Sequence, residues 1–187
     1  FRINVALSEL PKLPGDGDPR SADRLGSGIL ISPSLEYLDR ANRDAVVNGM
    51  SARPVIEMLI PSTLDSSLAP PGRHVASLFC QHFARELPDG SDWSNARQRA
   101  VDLIIDTVNE YVPNFRSSIL GIQALSPKDL ETRFGLVGGD IFHGRMTLEQ
   151  LYWKRPARRY AQYRSPLRGL YLCGSGAHPG GGVSGVP

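Results

Sequence analysis

Residues 54–83 read PVIEMLIPSTLDSSLAPPGRHVASLFCQHF, and this stretch decides the fold class. Pro54–Ile60 is a short apolar run of β-branched character. His74–Phe83 alternates, with Val75, Ser77, Phe79 and Gln81 on one parity and Ala76, Leu78 and Cys80 on the other. Both patterns predict strands. The connection between them, Pro61 to Gly72, is short and rich in turn residues, which suits an antiparallel pair.

Working outward toward the N-terminus, Phe1–Leu7 (FRINVAL) alternates Ile3, Val5 and Leu7 against Arg2, Asn4 and Ala6, a strand with one buried face. Residues 11–28 are dense in Pro and Gly and predict a long exposed loop. Gly28–Ile31 predicts a short strand. Ser34 is placed to cap a helix over Leu35–Asn48, with Gly49 as its stop and Leu35, Leu38, Ala41, Ala45 and Val46 at helical spacing.

Toward the C-terminus, a long helix opens at Trp93 or Ser94 and runs through Tyr111, ended by Pro113. Its apolar stripe is Ala100, Leu103, Ile104, Thr107, Val108 and Tyr111. Ser117–Leu125 predicts a strand. Ser126, Pro127 and Asp129 are helix-start residues for a helix over Pro127–Phe134. Gly135–Met146 is glycine-rich, Thr147–Tyr152 predicts one helical turn, and residues 153–169 read as irregular and basic. The class expected is α+β, a largely antiparallel sheet with helices on one face. Gly169–Cys173 (GLYLC) differs in character. It is wholly apolar and runs into a glycine turn, as strands of parallel nucleotide-binding sheets do.

The composition belongs to an ordinary globular domain: 187 residues, 41% hydrophobic and 21% charged. The formal net charge of +2 is too small to argue for nucleic acid. Arg155, Arg158, Arg159, Arg164 and Arg168 cluster, and read as a solvated loop or an anion-binding rim. Cys80 and Cys173 lie in apolar runs and read as buried free thiols; without a CxxC pair they give no zinc motif. No apolar run approaches the ~20 residues of a membrane span.

The chemistry-bearing segment is Gly169–Gly185, GLYLCGSGAHPGGGVSG. Its glycines permit left-handed backbone and let N–H groups approach a ligand with no Cβ in the way, and a helix start near Gly182 would favour an anion. A plain turn has the same composition, and glycine spacing alone is a weak signal. Residue identities separate these alternatives. Leu170–Val183 resembles the C-terminal flavin-binding signature of phytoene-desaturase-like oxidoreductases. Ile3–Leu7 with Leu10-Pro11 resembles a strand of their substrate domain. RPVIEMLIPSTLDSSLAPPGRHVASLF (Arg53–Phe79) and GGDIFHGRMTLEQLY (Gly138–Tyr152) resemble one branch of that family.

The resemblance implies a C-terminal piece, cut at both ends, of an FAD-dependent oxidoreductase. Residues 1–168 would belong to the substrate domain, and 169–187 would be a returning strand and loop of an FAD-binding domain of Rossmann type. Gly174, Ser175 and Gly176 would lie near the phosphates or ribityl chain of FAD. Gly181, Gly182 and Val183 would approach the flavin ring, with His178 at its edge. The resemblance places the GxGxxG unit that receives the ADP pyrophosphate in the N-terminal half of such enzymes, so the piece alone is expected to be cofactor-free and inactive. The substrate implied is a small apolar or amine-bearing molecule; the catalytic residues are unknown, and no metal is implied. The compartment expected is the cytoplasm, or the mitochondrial matrix in a eukaryote. An exposed apolar face is expected to support a homodimer. A rival reading, motivated by Lys154–Arg168, is a non-catalytic protein-interaction module with a vestigial flavin fold.

The remaining candidates weigh less. His143 reads as a cavity-lining or structural residue, Asp140 as a turn former, and Trp153 as core. His74 and His82 share a strand parity and are too far apart to hold one metal. Ser175 lies outside a GxSxG elbow, which argues against a hydrolase.

Overall fold

The computed structural model describes residues 1–15, 21–144 and 147–181. By internal contacts the chain divides into two compact units, Phe1–Lys128 and Asp129–Pro187.

The first unit is built on a five-stranded sheet of order β2-β3-β4-β1-β5, antiparallel at every pairing. The strands are β1 (Arg2–Leu7), β2 (Ile29–Ile31), β3 (Ile56–Leu59), β4 (His74–Cys80) and β5 (Ile119–Leu125). Alternation does what it predicts. Ile3, Val5, Leu7, Ile56, Met58, Ala76, Leu78 and Cys80 are all buried on one face. Helix α3 (Trp93–Tyr111) covers that face with Trp93, Ala96, Ala100, Ile104 and Val108 in the same cluster. Asp92 caps it by accepting the Ser94 amide at 2.8 Å. Phe1, Phe83 and Trp93 meet as tilted rings, their centroids 5.2 to 6.3 Å apart.

The opposite face carries a polar row as well as exposed Leu30 and Leu59. Arg2 donates to Ser77 Oγ (2.8 Å), Ser77 Oγ donates to Asn4 Oδ1 (2.7 Å), and Asn4 Nδ2 donates to Gln123 Oε1 (3.1 Å). Asn4 is the register partner of both Ser77 and Gln123, so this row crosses β4, β1 and β5.

Helix α2 (Leu35–Asn48) has the expected bounds and caps. Ser34 Oγ accepts the Tyr37 amide, and Gly49 adopts left-handed backbone at φ 78°. A Cβ at Gly49 would fall 2.5 Å from Pro88 Cδ, so glycine is required there twice over. The α2 stripe is a correction: only Ala41 is buried, while Leu35 is 84% exposed and Val46 and Val47 are exposed too. The core face of the sheet is filled by α3, which leaves α2 on the flank.

Other expectations are adjusted locally. The Pro11–Gly28 loop contains a short helix, α1 (Ser21–Leu25), and buries Leu13 and Leu25. A single turn, α4 (Phe115–Ser118), precedes β5, which therefore starts at Ile119. β4 ends at Cys80, and His82 turns out of the strand with φ 66°. Helix α5 (Pro127–Phe134) has the predicted bounds.

Beyond α5 the described residues of the second unit form only short 3-10 turns, at Val137–Gly139, Leu148–Gln150 and Tyr152–Lys154. The expected strand Gly169–Cys173 is reduced to one antiparallel bridge, Arg164 with Tyr171. Its backbone bonds to Tyr163, Ser165 and Leu167, through Leu172 N to Tyr163 O (2.7 Å), Ser165 N to Leu170 O (3.1 Å) and Leu170 N to Leu167 O (3.2 Å). A ladder needs paired neighbours along its length, and none extends this one among the described residues. Cys173 is exposed rather than buried. Trp153 is 68% exposed rather than core, stacked loosely beside Tyr152.

Candidate functional site

The glycine-rich loop Gly174–Gly181 lies in the second unit, and its setting is built from three other segments of that unit. Asp140 makes the first of them. Its carboxylate accepts the amides of Phe142 (2.8 Å) and Gly144 (3.0 Å), the turn role expected of it. This fixes Phe142 and His143, the latter at φ 57°.

Arg155 makes the second. It is 2% exposed, whereas Arg158, Arg159, Arg164 and Arg168 are all exposed. The solvated-loop reading therefore fits four members of the cluster and fails for Arg155. Its Nε donates to Ser175 O (2.8 Å), Nη1 to Gln150 O (3.1 Å), and Nη2 to Phe142 O (2.7 Å) and His143 O (3.0 Å). One planar fork thus joins the Asp140 turn, the Leu148–Gln150 turn and the glycine loop. A third tie runs from Tyr152 N to Pro179 O at 3.0 Å.

Within the loop, Ala177 is buried and its amide returns to Gly174 O at 3.0 Å. His178 packs edge-on against Tyr163, centroids 5.7 Å apart, and its buried Nδ1 has no hydrogen-bond partner. Gly174 is exposed, left-handed at φ 86°, and has nothing within 4 Å of the position a Cβ would take. Gly181 serves the chain itself. A Cβ at Gly181 would press on Phe142 Cδ1 at 3.2 Å and approach Ser175, and one at Gly176 would meet His143 at 3.8 Å. Gly182 and Val183 lie outside the described residues. The residues present therefore fit a flavin nucleotide at one edge of the loop, where bare backbone at Gly174 is open and His178 has a hydrogen-bonding atom to spare. At Gly181 the missing side chain makes room for Phe142, whereas a Cβ at Gly176 would make only ordinary contact with His143.

Elsewhere the chemistry is thin. The buried Nε2 of His82 has no hydrogen-bond partner among the described residues, and burial pushes the pKa of the ring down. An open groove of about 240 Å³ beside α2 is lined by Pro33, Tyr37, Ala41 and Arg53 among others. Its polar groups are already engaged: Tyr37 Oη donates to Pro54 O, with burial pushing its pKa up to about 12, and Arg53 pairs with Glu110. Among the described residues no three His, Cys, Asp or Glu side chains converge as metal ligands, and no helix is long and apolar enough to cross a membrane.

Sequence reasoning missed Arg155. Nothing in its spacing separates it from its exposed neighbours; only the adjoining Pro156 distinguishes it.

The C-terminal signature in the second unit accords with the comparisons: the homologues of this chain are oxidoreductases of the phytoene-desaturase-like kind. The branch that its Arg53–Phe79 and Gly138–Tyr152 segments resemble is that of pyridine nucleotide-disulfide oxidoreductase domain-containing protein 2. The chain is 45% identical to that protein of Rattus norvegicus over 192 aligned residues, covering 99% of this chain and 33% of the relative. It is 31% identical to a lycopene-forming phytoene desaturase of Paracoccus sp. over 67% of this chain and 24% of the relative. It is 29% identical to a 4,4'-diapophytoene desaturase of Staphylococcus haemolyticus over 77% of this chain and 29% of the relative. The chain thus spans a third or less of the length of these curated relatives. No family model matches it.

Proposed function

We propose that this chain is the C-terminal portion of an FAD-dependent oxidoreductase that takes hydride from a small apolar or amine-bearing substrate. FAD, when bound, supplies the hydride acceptor. The chain supplies walls and orientation. Residues 1–168 belong to the substrate domain. Residues 169–187 rejoin a Rossmann-type FAD-binding domain, in which Gly169–Cys173 gains the strand neighbours it lacks here. Gly174, Ser175, Gly176, His178, Gly181, Gly182 and Val183 line the cofactor, with Gly174 giving the closest backbone approach and His178 Nδ1 offered to a polar atom of the ligand. The observation that supports this most is the 45% identity running through 99% of the chain, glycine loop included.

The test is spectroscopic. The full-length polypeptide carrying this chain is expected to purify yellow, and to bleach anaerobically with a substrate it oxidises. The 187-residue chain alone is expected to be colourless and inactive, because the resemblance places most of the FAD-binding surface in the N-terminal half of such enzymes. A full-length protein that takes up no FAD would overturn the reading.

One observation favours a second reading, a protein-interaction module. Arg158, Arg159, Arg164 and Arg168 are exposed beside exposed Tyr152, Trp153, Tyr160, Tyr163 and Tyr171, the aromatic and arginine composition of contact surfaces. Full-length protein that binds FAD yet reduces it with no substrate would favour this reading. The exposed apolar residues of α2 support homodimerisation, which light scattering across a concentration series would detect.

A further inference from the structure

We infer that Arg155 is a positioning residue for the glycine-rich loop, holding it in the conformation that receives the cofactor. The inference rests on the FAD reading above. Burying a guanidinium is costly unless its donors are satisfied, yet Arg155 is buried and its four arginine neighbours along the segment are not. What the buried group holds is main chain: the carbonyls of Ser175, Gln150, Phe142 and His143. Glycines lose more conformational freedom on ordering than any other residue. A loop with Gly174, Gly176, Gly180 and Gly181 therefore needs an external clamp to be preorganised for a ligand. The clamp acts at Ser175, between the two glycines at the head of the loop.

The contact set also selects arginine over lysine. Three chain segments are reached from three nitrogens of one plane, and an ammonium on a flexible stem cannot reproduce that. The net loss of one charge-assisted bond, after those a lysine retains, corresponds to roughly ten- to a hundredfold in an equilibrium constant.

The experiment compares Arg155→Lys and Arg158→Lys in the full-length polypeptide carrying this chain, with FAD itself as the probe. The expected result is FAD affinity lowered roughly ten- to a hundredfold for Arg155→Lys, with altered visible circular dichroism of the flavin that still binds. Arg158→Lys leaves both unchanged. Equal affinity and spectra for Arg155→Lys and wild type would overturn the inference. A wild-type protein that binds no FAD overturns the proposed function instead. In that case amide exchange in the 187-residue chain decides the clamp alone: Ala177 and Tyr152 lose protection in Arg155→Lys if the clamp is real, and keep it if not. Should Arg155→Lys fail to fold, the wild type suffices. The Nε–H resonance of Arg155 is expected to exchange slowly and to shift on FAD addition, and an unmoved resonance in FAD-saturated protein counts against the inference.

Discussion

The two units solve the problem of order differently. In Phe1–Lys128 a period-two sheet face and one amphipathic helix close over a continuous apolar cluster, from Phe1 to Phe115. In Asp129–Pro187 the large side chain most completely buried is an arginine, and what it organises is backbone. Left-handed non-glycine residues show the same contrast. His82 stands alone in the first unit, against His143, Tyr152, Arg159 and Tyr163 in the second. The first unit is stabilised by apolar area removed from water; the second depends on directional bonds that hold chain in sparsely populated conformations. That is the division expected when one part is scaffold and the other carries loops that bind.

The two cysteines test this contrast with the largest expected effect. Cys80 is buried, and burial pushes its pKa up to about 12, whereas Cys173 is exposed. Under native conditions a thiol reagent should modify Cys173 at least roughly a thousandfold faster, since Cys80 reacts only through unfolding. Comparable rates, followed by mass spectrometry, would show that the sheet unit is not closed.

Phe115→Ala removes a fully buried ring from that unit and should cost about 3–5 kcal/mol in urea unfolding. Gly49→Ala places a Cβ against Pro88 and Leu87 in left-handed backbone; about 2–3 kcal/mol is expected from the conformation and the overpacking together. A loss below half a kilocalorie would mean that the α2 stop is loosely held.

Asp92 gives the smallest effect and a defined pH window. Its pKa is lowered to about 2, first by the hydrogen bond from Lys128 and then by the Ser94 amide. A carboxylate depressed in the folded state contributes stability that is complete above its ordinary 3.8 and lost as pH falls toward 2. Wild type and Asp92→Asn should therefore differ in unfolding free energy at neutral pH and converge in acid. A gap that persists at low pH would assign the effect to geometry rather than charge.

The same contrast governs what could be read from the residues alone. Helices α2, α3 and α5 have the bounds that Ser34, Gly49, Trp93, Tyr111, Pro127 and Phe134 predict, because caps and periodicity are local. Strand parity in β1 and β4 was legible for the same reason. The exposure of Leu35 and Val46 was not, since periodicity marks a face without saying what covers it. Nor was Arg155. A buried cation that holds carbonyls from residues 142, 143, 150 and 175 is a tertiary fact, and its neighbours Arg158 and Arg159 carry the same letter on the surface. Gly181 was marked by composition as part of a bare path for a ligand, and the fold spends it on Phe142.

The polar row on the outer face of the sheet has one more consequence. Ser77, Asn4 and Gln123 stand directly opposite one another, so sliding either neighbour of β1 by one residue would turn a bonded group inward and bring an apolar one out. The row works as a vernier on the central strand: only one alignment lets every mark coincide, and a mispaired sheet would announce itself by stranded amides before the apolar side had finished closing.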